Sequence, residues 1–220
     1  MRSRPARESV GPGLAFERVL FFSDAVFAIA ITLLVIELRL PDLGEHATSD
    51  DVLRALQAQA PRLFAYALSF LTIGTYWLAH WRRYQVVERI DFRLATINLL
   101  LLGFVALIPF PTGIIGEYGD TAAAVVFYAV TLSAAGIMGT VSWLYADRTG
   151  LTVAGLSRHH LRSSILRGMA VPIVMLPSLV LLPLIGPGGV ELSWLLIIPV
   201  QVLADRWRRT DDDPNSVEEA

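Results

Sequence analysis

The sequence predicts an all-α polytopic membrane protein with six transmembrane helices and both termini in the cytoplasm. Three observations predict it. The chain is 54% hydrophobic and only 17% charged, whereas a soluble domain carries about 25% charged residues. Its apolar residues gather into six stretches, and a membrane-spanning helix needs roughly 20 mostly apolar residues. Its arginines alternate between loops as the positive-inside rule requires.

The first stretch, residues 19–38, follows a polar segment with Arg2, Arg4 and Arg7. It is too long for a signal-peptide core of about 7–15 residues and lacks a small-x-small cleavage site, so it reads as an uncleaved helix. The second, 62–81 (RLFAYALSFLTIGTYWLAHW), opens behind Pro61, and its apolar pattern runs back through Val52, Leu53 and Leu56. Proline is tolerated where a helix starts. The third covers 94–110, where IPFPTG predicts a stop. The fourth, 121–145, contains SAAGIMGT, whose small residues at helical spacing suit close packing. The fifth, 164–185, holds Pro172, Pro177 and Pro183, and the sixth covers 190–206.

With the N-terminus inside, the inner segments hold Arg2, Arg4, Arg7 and Arg18, then Arg82, Arg83, Arg89 and Arg93. The later inner segments hold Arg148, Arg158, Arg162 and Arg167, then Arg206, Arg208 and Arg209. The outer segments hold only Arg39, Arg54 and Arg62, and the outer loops 111–120 and 186–191 hold none. Residues 1–209 therefore form one six-helix unit, a multi-pass protein of the cell (plasma) membrane. Residues 210–220, TDDDPNSVEEA, read as a disordered acidic tail.

Several functions are set aside. A net charge of −2 gives no reason to expect nucleic acid. The absence of cysteine excludes disulfides and thiolate chemistry. There is no P-loop, dinucleotide fingerprint or G-x-S-x-G elbow, so neither an enzyme nor a cofactor is expected. His159 and His160 stand together in a basic loop without carboxylates, which is a poor metal site. No TVGYG-type carbonyl filter is present.

The polar residues inside the first helix carry more. Asp24, with Ser23 beside it, lies about 9 Å from the inner end at 1.5 Å per residue, and an ionisable group at that depth is costly unless paired. The second helix offers Trp77 and His80 at its own inner end. One reading is a structural knot, in which Ser23 and Asp24 hydrogen-bond with Trp77 and His80. Another gives Asp24 an ion-binding or proton-relay role, as in a proton-coupled membrane transporter using Asp24 and His80. Further along, Ile29, Leu33 and Ile36 recur at i, i+4 and i+7 with Thr32 at their edge. Such a stripe serves helix packing or a hydrophobic constriction of a symmetric pore, and the pattern alone leaves both open.

The first helix, RVLFFSDAVFAIAITLLVIEL, carries Phe22-Ser23-Asp24, then Ala28, with Arg18 upstream. This resembles the F-S-D-x-x-x-A signature of the lysosomal-type potassium channel family (transmembrane protein 175) and its bacterial single-repeat branch. SFLTIGTYWLAHWRRY and TINLLLLGFVALIPFPTGIIGEY resemble that family's second and third helices, extending the likeness over about 100 residues of the N-terminal half. Ala25 and Phe21 stand where the family more often has glycine and a small residue. The resemblance implies a potassium channel subunit embedded in membrane lipid. With one repeat per chain, it also implies a homotetramer whose pore is lined by the first helix. It assigns the constriction to Ile29 and Ile36, with Leu33 a further layer and Thr32 a polar layer. It also assigns Arg18, Phe22, Ser23, Asp24, Trp77 and His80 to a polar network bracing the pore helix.

Overall fold

The computed structural model describes residues 12–154 and 158–203. Helix α1 spans Pro12–Leu33 and tightens into a 3-10 turn over Leu34–Glu37. Then come α2 (Ser49–Ala58), α3 (Ala60–Tyr84), α4 (Phe92–Leu107), α5 (Pro109–Tyr118) and α6 (Ala122–Arg148). Then follow α7 (Arg158–Ser178) and α8 (Leu182–Ser193), with helical backbone again over 197–203. The described residues contain no strand, only an isolated bridge between Val87 and Thr152 that ties two loops together. The terminal arginines Arg2, Arg4, Arg7, Arg206, Arg208 and Arg209 and the acidic tail lie outside the described residues.

Four stretches among the described residues are long and apolar enough to cross a membrane: Phe16–Glu37, Phe92–Tyr118, Ala122–Arg148 and Leu161–Leu203. The last contains a backbone break at Gly186, φ 69°, followed by Pro187, where the outer loop 186–191 was expected. Only glycine adopts that conformation without cost. Helix α3 is long enough but not apolar enough. Arg62, Arg82, Arg83, His80 and several hydroxyls dilute it.

The IPFPTG stop is corrected. Ile108 keeps helical angles, φ −53° and ψ −40°, and the chain continues through α5 to Tyr118. Pro109 has no N–H to give Val105. Instead the Ile108 amide turns to the Val105 carbonyl at 3.2 Å, and the Thr112 hydroxyl returns to the Ile108 carbonyl at 2.8 Å. The tightened turn absorbs the loss at Val105, and the Thr112 hydroxyl adds a second donor to a carbonyl that its own amide already reaches. The segment before Pro61 is a separate amphipathic helix, α2, started by a capping box between Thr48 and Asp51. His159 and His160 open α7 rather than lying in a loop.

Helix α6 is central and packs most extensively on α7 and α4. Its small residues allow this. A Cβ at Gly136 would come within 2.8 Å of the Gly168 carbonyl oxygen and the Tyr76 hydroxyl, and within 3.0 Å of Pro172 Cδ. Helices without side chains at the contact approach closely, which substitutes for a hydrophobic drive that lipid does not supply. Buried hydroxyls stitch α3, α5 and α6 together: Ser69 Oγ lies 2.7 Å from Thr112 Oγ1 and 2.8 Å from Tyr128 Oη.

Helix α4 starts on Asp91, which accepts from the Leu94 amide at 2.7 Å and the Tyr145 hydroxyl at 2.7 Å. Burial pushes the Asp91 carboxyl up, but these two donors together with the neighbouring Arg93 hold it below its ordinary range. A depressed carboxyl contributes stability above its unfolded pKa and loses it as pH falls through the folded value. Asp91→Ala therefore lowers stability by about 1 kcal/mol at neutral pH. Asp91→Asn keeps a cap but flattens part of the decline below about pH 4. Melting in detergent across pH checks both.

Candidate functional site

Helix α1 has two unlike faces. Ser23, Phe27, Ala30 and Leu34 are buried against the rest of the subunit. The opposite face holds Phe22 (54% exposed), Ile29 (57%), Leu33 (38%) and Ile36 (49%), with Thr32 exposed among them. Only 22% of the helix's most apolar window is buried, against 56% for α6. An apolar stripe this bare on a membrane helix faces lipid, another subunit or a pore. Within it, the Thr32 hydroxyl donates to the Ile29 carbonyl at 2.9 Å, which turns the oxygen lone pairs away from the backbone.

The turn that carries Ile36 is 3-10, not α. Its rise is about 2.0 Å per residue instead of 1.5 Å. The Ile29 to Ile36 separation along the axis therefore grows from about 10.5 Å to about 12 Å.

The buried face carries a polar relay. Ser23 Oγ donates to the Val19 carbonyl at 2.8 Å and accepts from Asn98 Nδ2 at 2.9 Å. Asn98 Oδ1 lies 2.9 Å from His80 Nε2. His80 stacks on Tyr84 with ring centroids 4.3 Å apart, and Phe27 meets it at 5.5 Å in a tilted contact. Three helices, α1, α3 and α4, thus meet at one asparagine. The amide suits the place because it donates and accepts at once.

Asp24 is not part of that relay. It points to the exposed side and accepts from Trp77 Nε1 at 2.9 Å. No hydrogen bond joins Asp24 to His80. Asp24 is bound to an indole and His80 to an amide. Of the four residues read as a knot, Asp24 bonds Trp77 directly, while Ser23 reaches His80 only through Asn98. Phe22 lies on the exposed face and takes no part in the relay. Arg18 is exposed and lines a cavity of about 320 Å³ between α1 and α4, with Asn98 in its wall. It makes no hydrogen bond to a described residue. Asn98 itself escaped sequence reasoning. The signal available was a lone amide in an otherwise apolar helix, TINLLLLGFVAL. Among the described residues no cluster of histidine and carboxylate side chains could hold a metal ion.

All of these residues fall within 18–109, the segment that matches the family model described as endosomal/lysosomal potassium channel TMEM175. A potassium channel of Streptomyces collinus is 39% identical over 139 residues, 60% of this chain and 65% of that one. Over this segment the chain is similar to the TMEM175 family. Within it, a potassium channel of Chamaesiphon minutus is 40% identical over 103 residues, covering 46% of this chain and 49% of that one. The chain thus spans about half to two thirds of the length of these curated relatives. The mouse endosomal/lysosomal proton channel TMEM175 is 28% identical over 163 residues, 70% of this chain and 32% of that one. Among solved structures, the fold superposes on the crystal structure of a lysosomal potassium-selective TMEM175 homolog from Chamaesiphon minutus with a TM-score of 0.72 and 28% identity. That match covers 86% of this chain and 98% of the other, so the likeness extends well past the first four helices.

Proposed function

We propose that this chain is the subunit of a homotetrameric potassium channel of the plasma membrane. It would cross the membrane six times with both termini inside, and α1 from each subunit would line the pore. The observation that carries the reading is the apolar face of α1 that the rest of the subunit leaves uncovered, with Thr32 set among its apolar side chains. The relatives named potassium channels, and the fold match to a potassium-selective homolog, support it.

In this reading Ile29, Leu33 and Ile36 narrow the pore in successive rings. Apolar rings offer no ligand in place of lost water, so passage requires partial dehydration. Potassium holds its water less tightly than sodium and pays less. Thr32, with its lone pairs turned outward, supplies a polar rung between apolar ones. The relay of Ser23, Asn98 and His80 and the Asp24–Trp77 bond fix the rotation of α1, and so decide which residues meet the ion. Nothing in this scheme uses an enzyme's chemistry.

Since the chain has no cysteine, a single introduced one is a clean reporter. Charged thiol reagents should block potassium flux through Leu33→Cys by more than about tenfold and leave Leu99→Cys, on the exposed side of α4, unchanged. Equal effects at both positions would remove α1 from the pore. The native assembly should weigh about 97 kDa, four times 24.2 kDa.

A second reading, proton movement through Asp24, is favoured by the mouse relative's name and by the depth of that carboxylate. Asparagine keeps the acceptor for Trp77 but cannot carry a proton. If Asp24 braces the helix, Asp24→Asn retains potassium flux within about threefold and leaves proton leak unchanged. Proton flux abolished in that variant would favour the second reading.

A further inference from the structure

We infer that the inner end of α3 and α7 forms a binding site for the phosphate headgroup of an anionic membrane lipid, held by Arg82, Arg83 and Arg167. The inference rests on the membrane embedding proposed above, and not on ion conduction.

Three observations carry it. First, the three arginines line one cavity of about 260 Å³, together with Ala79, Gln85 and Ser164. Second, one of them is deeply buried. Arg83 is 7% exposed, and its guanidinium donates to Ser164 Oγ at 3.1 Å and to the Ser164 carbonyl at 2.8 Å. Two neutral acceptors leave its charge uncompensated. Among the described residues, no carboxylate lies within ion-pair distance of it. Gly168 and Gly139 make room for the group, since a Cβ at either would press on its terminal nitrogens. A chain that opens two glycines around a buried cation without supplying an anion leaves that charge to be met from outside. Arginine is well matched to phosphate because its planar fork donates two parallel bonds.

The third observation is what lies along α3 from this cavity. A second cavity of about 70 Å³ shares Ala79, Arg82 and Arg167 with the first and adds Thr75, Leu78 and Gln201. A third, of about 200 Å³ and almost wholly apolar, begins at Leu71 and Thr72 and shares Gln201 with the second. From Arg82 to Leu71 is eleven residues, about 16 Å along the helix. Half the hydrocarbon core is about 15 Å. An acyl chain hanging from a headgroup at Arg82 therefore runs past Leu78 and Thr75 and ends where the apolar cavity opens. A free phosphate would use the first cavity and ignore the other two.

Native mass spectrometry of the purified full chain in detergent tests this, with dioleoyl phosphatidylglycerol, dioleoyl phosphatidylcholine, dihexanoyl phosphatidylglycerol and inorganic phosphate as probes. The expected result is at least tenfold tighter binding of dioleoyl phosphatidylglycerol than of the phosphatidylcholine, with the dihexanoyl lipid weaker than the dioleoyl one. Arg82→Gln and Arg167→Gln should each weaken phosphatidylglycerol binding by about fivefold, with phosphatidylcholine unaffected. Because Arg83→Gln disturbs a buried group, it is not needed. Equal binding of the two dioleoyl lipids overturns the proposal, as does an unchanged preference in both variants. Full competition by millimolar inorganic phosphate, with no dependence on chain length, also overturns it and makes the site a soluble-anion site. None of these readouts depends on flux, so a channel that failed to conduct would leave them intact.

Discussion

Ile36→Asn raises potassium flux into reconstituted liposomes by about tenfold or more, and Ile29→Asn does the same to a smaller degree. In a tetramer each substitution places four carboxamide oxygens where four butyl groups stood. An ion that had to shed water against hydrocarbon then finds ligands. Lowering the barrier by about 1.4 kcal/mol already gives tenfold, and four polar groups exceed that easily. The larger effect is assigned to Ile36 because it sits in the 3-10 turn, the last apolar ring before Glu37. Discrimination against sodium should fall at the same time, since it derives from dehydration cost. Leu34→Asn is the control. It lies two residues away but is fully buried, so it should damage folding and yield no gain of flux. Measuring all three in liposomes of equal protein content separates a pore face from a packing face. If Ile36→Asn behaves like Leu34→Asn, the assignment of faces is wrong.

Asn98→Leu should lower the stability of the assembled protein by about 2–3 kcal/mol. Each of the two interhelical bonds through Asn98 is worth roughly 0.6–1.7 kcal/mol in a membrane setting. Stranding the His80 nitrogen beside Phe27 adds to that. Leucine fills a similar volume, so lost packing is not the cause. The same substitution frees α1 to rotate, because Ser23 then bonds only to its own helix. Flux should therefore fall and become more variable between preparations, while Thr32→Ala, which removes a bond internal to one helix turn, leaves the melting temperature nearly unchanged. Melting curves followed by size-exclusion chromatography distinguish the two. A variant with wild-type melting would show that the relay is incidental.

Much of this was readable from the residues. Apolar length announced the four stretches long and apolar enough to cross a membrane, and the backbone breaks at Gly186, where the outer loop 186–191 is expected. Asp24 and Trp77 could be matched because two antiparallel helices place equal depths side by side. What could not be read was which partner a buried group chooses. His80 goes to Asn98 rather than to Asp24, since rotation about a helix axis depends on packing with a third helix. The continuation through Pro109 was hidden for a related reason. A proline stops a helix only when nothing replaces the lost bond, and the Ile108 amide replaces it at the Val105 carbonyl. The α1 stripe was visible as a period, but its exposure is a property of the folded subunit. That Arg83 would be buried was not visible at all, because Arg82 and Arg83 read as an ordinary inner-loop pair.

In the proposed tetramer, four α1 helices surround a path on which potassium passes more easily than sodium. Currents recorded from the purified protein in a planar bilayer, with potassium on one side and sodium on the other, test it most directly. The account predicts unitary currents that reverse at a potential favouring potassium, and a shift of that potential toward zero in Ile36→Asn. Absence of unitary currents at any voltage or pH, from protein shown to be tetrameric, would contradict it.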